Sequence, residues 1–252
     1  MTRYTERLAV MLAETGALFF KKGLRLKDGR PTPYFVNMGM FKTGRLSLEI
    51  GSIFAAMMVE RGISSEADII LGPSYKGSAI AQAASIALWK DYGLDIPFEY
   101  DRKEAKSHGE TSGGGSMFVN QTFFDGCRIF VVDDVATSMA TKYELLEKIE
   151  LEASRKGIKT NVAGIGIAVD REQTSAVYDR DGGLIEGVKG KNAINEFVSR
   201  TGIRVHAVAG IREVIGYLYK SSTPVLIEGK RAVIGDVLMA EFEEYLSIYG
   251  AV

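Results

Sequence analysis

Apolar runs of strand length alternate with helical segments over residues 46–220. The runs at 129–132 and 161–169 are almost wholly apolar, which is typical of parallel strands that are buried on both faces. A chain that alternates in this way folds into a parallel, twisted sheet with helices on both faces. Ligands of such sheets bind at the carboxyl ends of the strands. The alternation therefore predicts an α/β fold and the edge at which its site lies.

The flanking segments complete the predicted order of elements. Residues 3–18 have apolar positions at helical spacing, 24–30 alternate like a strand and then turn, and 31–33 (Pro-Thr-Pro) interrupt the pattern before a short strand at 34–38. The remaining predicted strands are 68–71, 96–101 and 203–209. The remaining predicted helices are 46–61, 78–92, 142–156, 192–200, 211–220 and 234–248.

The composition excludes several functional classes. Hydrophobic residues make up 46% and charged residues 25% of the 252 residues, as in ordinary globular proteins, and the net charge is −1. That balance gives no support to a general nucleic-acid or membrane-surface role. The single Cys127 excludes an intramolecular disulfide framework, and no apolar run approaches the length of a membrane span. We therefore expect a cytoplasmic protein with one large domain and no nucleic-acid or membrane partner.

The central motif is RIFVVDDVATSMAT, at residues 128–141. A buried strand places Asp133 and Asp134 at its carboxyl end, and small and hydroxylated residues then lead into a helix. The backbone N–H groups and the dipole of a helix N-terminus favour an anion. Because the two acids would repel a bare phosphate, a cation or sugar hydroxyls must lie between the acids and the phosphate. The motif therefore indicates a phosphorylated sugar accompanied by a divalent metal.

Three other polar segments follow strands at the same predicted edge. Lys76 lies in a glycine-containing loop, residues 72–77, which lacks the Walker A pattern. Residues 102–110 carry three cations and a histidine, and a glycine-rich stretch follows them. This segment is either a solvated charged loop or a mobile basic lid over a polyphosphate. Arg171 follows the strand at 161–169, after Asp170.

These segments together resemble a known family. VVDDVATSMAT resembles the phosphoribosyl diphosphate (PRPP) motif of type I phosphoribosyltransferases. LKDGRPTPYFVNMG, GPSYKGSAIA, RKEAKSHGE and VDREQ resemble, in the same order, segments of orotate phosphoribosyltransferases. The resemblance covers about residues 5–175. It implies a type I phosphoribosyltransferase fold in one domain over 1–252, with a core at about 46–220 and a small hood formed by about 1–45 and C-terminal elements.

The resemblance also implies residue roles. Phosphoribosyl transfer from PRPP to orotate would give orotidine 5′-monophosphate and diphosphate, with Mg²⁺ carried on PRPP rather than held directly by the protein. A homodimer that shares its lid loop between subunits is implied as well. The implied catalytic residues are Lys106, Asp133 and Asp134. PRPP binding is implied for these three and for Lys27, Tyr75, Lys76, Arg102, Lys103, His108, Val135, Ala136, Thr137, Ser138, Met139, Ala140 and Thr141. Orotate binding is implied for Phe35, Val36, Thr137 and Arg171.

The segment after the two acids, residues 135–141, is the phosphate loop that the resemblance implies. It departs from the family pattern at two positions. Met139 stands where the family usually has glycine, and Ala140 where it has a second threonine. A side chain at 139 is expected to strain a left-handed backbone, and Ala140 removes a hydroxyl donor that Thr141 could replace. Two alternatives stay open. One is a phosphoribosyltransferase for another base, against which Phe35, Arg171 and the RKEAKSHGE segment argue, and the other is a regulator that binds PRPP without catalysis, which only the altered phosphate loop supports.

Overall fold

The computed structural model describes residues 1–103, 115–136 and 139–251. Its helices are α1 (Arg3–Glu14), α2 (Gly44–Glu60), α3 (Lys76–Tyr92), α4 (Ala140–Lys156), α5 (Ala193–Thr201), α6 (Ile211–Lys220) and α7 (Asp236–Tyr249). Its strands are β1 (Leu18–Arg25), β2 (Pro31–Val36), β3 (Ile69–Gly72), β4 (Phe98–Tyr100), β5 (Cys127–Ala136), β6 (Thr160–Asp170), β7 (Val205–Gly210), β8 (Val225–Ile227) and β9 (Lys230–Ala232).

The predicted parallel sheet is confirmed. Its strand order is β4-β3-β5-β6-β7, and every neighbouring pair is parallel. The central strand β5 therefore lies between β3 and β6, and all five carboxyl ends meet at one edge. This edge carries the loops that the sequence analysis singled out, as far as the structure describes them.

Helices cover both faces of this sheet. Successive residues of a strand point to opposite faces, so a strand that is apolar throughout has apolar side chains to bury on both. On one face Phe130 and Val132 of β5 join a large core that includes side chains of α1, α2, α3, α6 and α7. On the other face Ile129 and Val131 pack with residues of α4 and α5. Burial on both sides explains why these strands are continuous apolar runs.

A second sheet has the order β2-β1-β8-β9. The hairpin of β1 and β2 is antiparallel, as predicted, and β8 adds to β1 in parallel. Strands β8 and β9 were not predicted, because each has only three residues and so too few positions for alternation to be detected. Helix α7 packs against β2, where Phe242 and Tyr245 make edge-on contacts with the ring of Tyr34.

Two predictions at the N-terminus were wrong. The helix predicted over 3–18 ends at Glu14, because Gly16 adopts a left-handed conformation (φ 70°) and Leu18 already begins β1. The predicted break at 31–33 is instead the start of β2. Proline is tolerated there because β2 is the edge strand of its sheet.

The central strand is also longer than predicted. Instead of ending near Val132, β5 continues through both acids to Ala136, because β6 pairs with it as far as the match of Ala136 with Asp170. Asp133 and Asp134 therefore lie within the paired part of β5 rather than in the loop that follows. No helix in the described ranges combines the length and apolar character needed to cross a membrane.

Candidate active site

A cavity of about 230 Å³ opens at the carboxyl ends of β3, β4 and β5. It is lined by the loop after β3, by residues that follow β4, by the acid pair and by the first turns of α4: Pro73, Ser74, Tyr75, Lys76, Asp101, Lys103, Asp133, Asp134, Thr141, Glu144, Leu145 and Lys148. Six of the predicted PRPP-binding residues line this cavity: Tyr75, Lys76, Lys103, Asp133, Asp134 and Thr141.

The two acids of β5 have different surroundings. Asp133 is buried, and its Oδ2 lies 2.5 Å from Nζ of Lys142. Asp134 is partly exposed to the cavity, and its Oδ2 lies 3.0 Å from Nζ of Lys76. Burial raises the pKa of the Asp133 carboxyl, while the ammonium group of Lys142 opposes that shift. Both acids therefore belong to lysine pairs, one buried and one open to the cavity.

The loop after β3 needs glycine at both of its ends. A Cβ on Gly72 would lie 1.9 Å from the carbonyl oxygen of Gly77, so the loop closes tightly before α3 begins. The Ser74–Tyr75 peptide bond in this loop is cis. The Tyr75 ring is largely exposed, and Nζ of Lys103 lies 5.7 Å from its centre. The loop thus presents Tyr75 and Lys76 toward the cavity.

Asp101 is a site residue that the sequence analysis missed. It is buried, its Oδ1 accepts a 2.6 Å hydrogen bond from the backbone N–H of Ser74, and its Oδ2 lies 2.5 Å from Nζ of Lys148. These contacts connect the end of β4, the loop after β3 and helix α4. The available signal was its position at the end of a strand, but Lys148 is 47 residues away in sequence.

The phosphate loop is described at its two ends. Val135 and Ala136 end β5, and Thr137 and Ser138 lie outside the described residues. Met139 adopts the left-handed conformation that the family glycine would suit (φ 59°), and its side chain is buried against the α4 face of the sheet. Ala140 and Thr141 are exposed in the first turn of α4, and Thr141 lines the cavity.

Arg171 belongs to a second part of the site. It follows β6, whose end pairs with the end of β5. Its side chain is buried, and its guanidinium carbon lies 5.4 Å from the ring centre of Tyr34 and 5.9 Å from that of Phe35. Neither its Nε nor its Nη2 has a hydrogen-bond partner among the described residues. A buried charge with free donors is costly, so the arrangement is suited to an anionic ligand.

The surroundings of Arg171 are aromatic and closely packed. Nε2 of Gln173 donates hydrogen bonds to the hydroxyl groups of Tyr34 (3.0 Å) and Tyr245 (2.7 Å), which fixes both rings beside the guanidinium. Burial raises the pKa of Tyr34 well above its usual range, with Arg171 opposing the shift. Tyr34 and Gln173 were not predicted as site residues, because an aromatic residue in a strand is more often simply core.

The remaining predicted residues are not brought together by the described structure. Val36 is buried in the core on the face of β2 opposite Phe35, and Lys27 is exposed in the turn between β1 and β2. Arg102 follows β4 and, like Lys27, is not among the described residues that line the cavity. Lys106 and His108 lie outside the described residues. Ligand contacts of these five residues stay predictions.

Comparison with known proteins identifies similar chains. No protein-family model matches. The chain is 35% identical over 226 residues to the orotate phosphoribosyltransferase of Methylococcus capsulatus, covering 89% of this chain and 88% of that protein. It is 30% identical over 253 residues to that of Bifidobacterium adolescentis, covering 99% and 97%. The crystal structure of the Francisella tularensis orotate phosphoribosyltransferase superposes with a TM-score of 0.69 at 24% identity, covering 94% and 96%, and shares the fold.

Proposed function

Because this chain belongs to the orotate phosphoribosyltransferase family, we propose that its cavity binds PRPP and that Arg171 binds orotate. The chain is a pentosyltransferase of pyrimidine biosynthesis, and its reaction forms orotidine 5′-monophosphate and diphosphate. The observation that carries the residue assignment is the buried guanidinium of Arg171, whose Nε and Nη2 lack partners within the described ranges. The carboxylate of orotate has the charge and the two oxygens that these donors need.

The flat face of the base is assigned to Phe35. The ring of Phe35 is half-buried next to Arg171, so an aromatic ligand could stack against it while its carboxylate meets the guanidinium. Val36 and Thr137 are retained as orotate contacts in this proposal. Val36 can take part only through its backbone, since its side chain is in the core.

PRPP is assigned to the cavity at the ends of β3–β5. Asp133 and Asp134 are proposed to serve the ribose hydroxyls, and residues 135–141 the 5-phosphate at the start of α4. Tyr75 and Lys76 are assigned to the diphosphate. Lys27, Arg102, Lys103, Lys106 and His108 are proposed to supply further positive charge to the diphosphate, with Lys106 neutralising the leaving group.

The chemistry requires little acid–base catalysis by the protein. A ring nitrogen of the orotate anion forms a bond to the anomeric carbon of PRPP as the bond to the diphosphate oxygen breaks, through an oxocarbenium-like transition state. The proton on that nitrogen is released to water or to the departing diphosphate. The electron pair leaves with diphosphate, so stabilisation of that charge lowers the barrier. Lysine side chains at the cavity supply this stabilisation, and closing the site against water prevents hydrolysis of PRPP.

Mg²⁺ is proposed to arrive on PRPP. When bound, it would neutralise charge on the diphosphate. Within residues 1–103, 115–136 and 139–251, no group of three or more His, Cys, Asp or Glu side chains could hold a metal ion. Asp133 and Asp134 are each paired with a lysine, which fits a metal whose main ligands are phosphate oxygens.

A homodimer is part of the proposal. Helix α3 begins at the loop after β3 that carries Tyr75 and Lys76. Its exposed face carries a stripe formed by Ala79, Gln82, Ile86 and Trp89, at the spacing of one helix face. Large exposed apolar side chains such as Trp89 are typical of association surfaces. A second copy of the chain packed on this stripe would lie beside Tyr75 and Lys76, which suits a lid shared between subunits.

Two further assignments complete the proposal. The chain is assigned to the cytoplasm, where the unpaired thiol of Cys127 would stay reduced. Residues 1–252 are assigned to one phosphoribosyltransferase domain, whose hood combines the N-terminal hairpin with β8, β9 and α7. The contacts of α7 with Tyr34 support this arrangement.

One assay tests the proposed function. Purified protein is mixed with PRPP and Mg²⁺, and orotate, uracil or adenine is added while loss of the free base is followed. We expect turnover with orotate and none with the other two bases. Turnover only with another base would select a different phosphoribosyltransferase, and saturable PRPP binding without turnover on any base would select a regulator.

A further inference from the structure

Lys142 is a buried lysine that the assigned reaction does not use. It lies in the first turn of α4, only 3% exposed, and its Nζ contacts Oδ2 of Asp133 at 2.5 Å. Lysine is almost never fully buried unless its charge is paired. Its place beside an acid of the proposed PRPP site therefore requires an explanation beyond packing.

The oxygens of Asp133 are both engaged within the protein. Oδ2 meets Lys142, and Oδ1 accepts a 2.8 Å hydrogen bond from the backbone N–H of Asp134. Asp134 differs, since its partner Lys76 has a side chain that is 53% exposed. The pair of Asp134 and Lys76 can separate into solvent or toward a ligand, whereas the pair of Asp133 and Lys142 cannot.

We propose that Lys142 is a positioning residue for PRPP: it holds Asp133 as a fixed carboxylate in the wall of the cavity and leaves Asp134 with Lys76 as the exchangeable pair. This inference rests on the proposed function, because it assigns a part of the same site. It divides the work of two adjacent acids that the sequence pattern presents as equivalent.

The electrostatics of the site support this division. Burial raises the pKa of Asp133 and Lys142 is the cation that opposes it, so loss of Lys142 would leave the carboxylate without a partner in a dry environment. Asp134, on the same strand, adds a repulsive charge. The other titratable side chains that line the cavity are Tyr75, Lys76, Asp101, Lys103, Glu144 and Lys148.

Lys142 also connects the acid to the phosphate loop. Its backbone N–H donates a 2.9 Å hydrogen bond to the carbonyl of Met139, the residue that ends the loop in a left-handed conformation. One residue therefore links the strand that carries Asp133 with the turn into α4. A change at Lys142 therefore acts on Asp133 through the side chain, next to the turn that its backbone helps to hold.

The test replaces the charge and keeps the length, with Lys142→Met. The matched control is Lys156→Met on the same helix, because Lys156 also lies beside a buried carboxylate, Glu152, but outside the cavity lining. Two readouts are taken: PRPP affinity by calorimetry in the presence of Mg²⁺ at pH 6 and pH 8, and titration of the Asp133 carboxyl carbon by NMR without PRPP.

In Lys142→Met we expect the titration midpoint of Asp133 to rise by at least about one pH unit. We expect PRPP affinity to fall roughly tenfold or more at pH 6 and less at pH 8, with Lys156→Met close to wild type. An unchanged Asp133 titration or an unchanged PRPP affinity in Lys142→Met would overturn the proposal. Failure of the wild type itself to bind PRPP would instead overturn the proposed function, while the NMR titration would still report on the pair.

A double variant covers the case in which Lys142→Met does not fold. Asp133→Asn combined with Lys142→Met removes both buried charges, so we expect it to be more stable than Lys142→Met alone. PRPP binding by the double variant should still be weaker than wild type. A double variant that is no more stable than Lys142→Met would contradict a role in holding the charge of Asp133.

Discussion

The carboxylate of Asp101 accepts a hydrogen bond from the backbone N–H of Ser74 at 2.6 Å, and so joins the end of β4 to the loop after β3. The other carboxylate oxygen meets Nζ of Lys148. This residue contacts no base or phosphate in the proposal, yet it holds the loop that presents Tyr75 and Lys76.

Replacement of Asp101 by Asn should weaken PRPP use. The amide keeps the acceptor for Ser74 but loses the charge that pairs with Lys148, a change of about 1.5–3 kcal/mol for a charge-assisted contact. We expect kcat/KM for PRPP to fall roughly tenfold or more, measured by initial rates. Asp68→Asn is the control, because Asp68 makes a similar pair with Arg128 at the opposite edge of the sheet. An Asp101→Asn enzyme with the PRPP kinetics of Asp68→Asn would refute this role.

Met139 combines a strained backbone with a buried side chain, which makes two substitutions informative. Met139→Gly relieves the left-handed strain but loses the burial of a large side chain. Met139→Ala loses burial and keeps the strain. We expect urea unfolding to give a lower free energy of unfolding for both variants. The decrease should be about 2 kcal/mol or more for Met139→Ala, and the decrease for Met139→Gly should be smaller than that by about 1 kcal/mol. A glycine variant as stable as wild type would mean that burial of the Met139 side chain contributes no more than the backbone strain that glycine relieves.

Asp170 predicts a pH-dependent effect on stability. Burial raises the pKa of this carboxyl, and a hydrogen bond from the backbone N–H of Glu172 opposes the shift. The folded state holds the Asp170 proton to higher pH than the unfolded state does. The contribution of Asp170 to the free energy of unfolding therefore falls as pH rises from its ordinary pKa through its folded pKa. Asp170→Asn should therefore unfold at a higher temperature than wild type above that window.

The difference for Asp170→Asn should disappear at a pH below the ordinary pKa of aspartate, near 4, where both states of the wild type are protonated. A gain of about 1 kcal/mol would correspond to roughly 2–4 °C in thermal unfolding. Asp95→Asn, at an exposed position, is the control and should show little change at either pH. An equal shift of Asp170→Asn at acid and neutral pH would contradict the electrostatic explanation.

The proposed dimer surface can be tested with one charge. Trp89→Glu places a carboxylate on the exposed stripe of α3, and burial of that charge against a second copy should weaken association by about 2 kcal/mol, roughly thirtyfold, or more. Sedimentation at micromolar concentration measures the effect. Leu151→Glu on α4 is the control, since Leu151 is at least as exposed but lies on the other face of the sheet. Equal association of the two variants would place the interface elsewhere.

Much of the fold follows from local pattern, because the strands that are buried on both faces are long apolar runs followed by helical periods. The strand carrying the acids was predicted too short, since Asp133 and Asp134 interrupt the apolar run and only pairing with β6 extends it. The edge position of β2 likewise explains why two prolines did not end a strand. Pairing partners distant in sequence decide such cases, and local propensity does not contain them.

The candidate site was likewise predictable only in part. The loops could be predicted to converge, because parallel strands place their carboxyl ends at one edge. Lys142, nine residues after Asp133, and Lys148, near Asp101, could not be recognised, since a lysine in a helix is usually solvated. Their role depends on burial and on contacts that only the folded chain contains.

The most direct test of orotate binding by Arg171 compares the selectivity for orotate over uracil in wild type and in Arg171→Gln, because uracil lacks the carboxylate assigned to Arg171. Binding of each base is measured by competition in the presence of PRPP and Mg²⁺. Loss of charge-assisted hydrogen bonds worth about 1.5–3 kcal/mol should reduce the orotate-to-uracil affinity ratio by roughly 10- to 150-fold. We expect that reduction, with uracil binding nearly unchanged. An affinity ratio in Arg171→Gln equal to that of the wild type would contradict it.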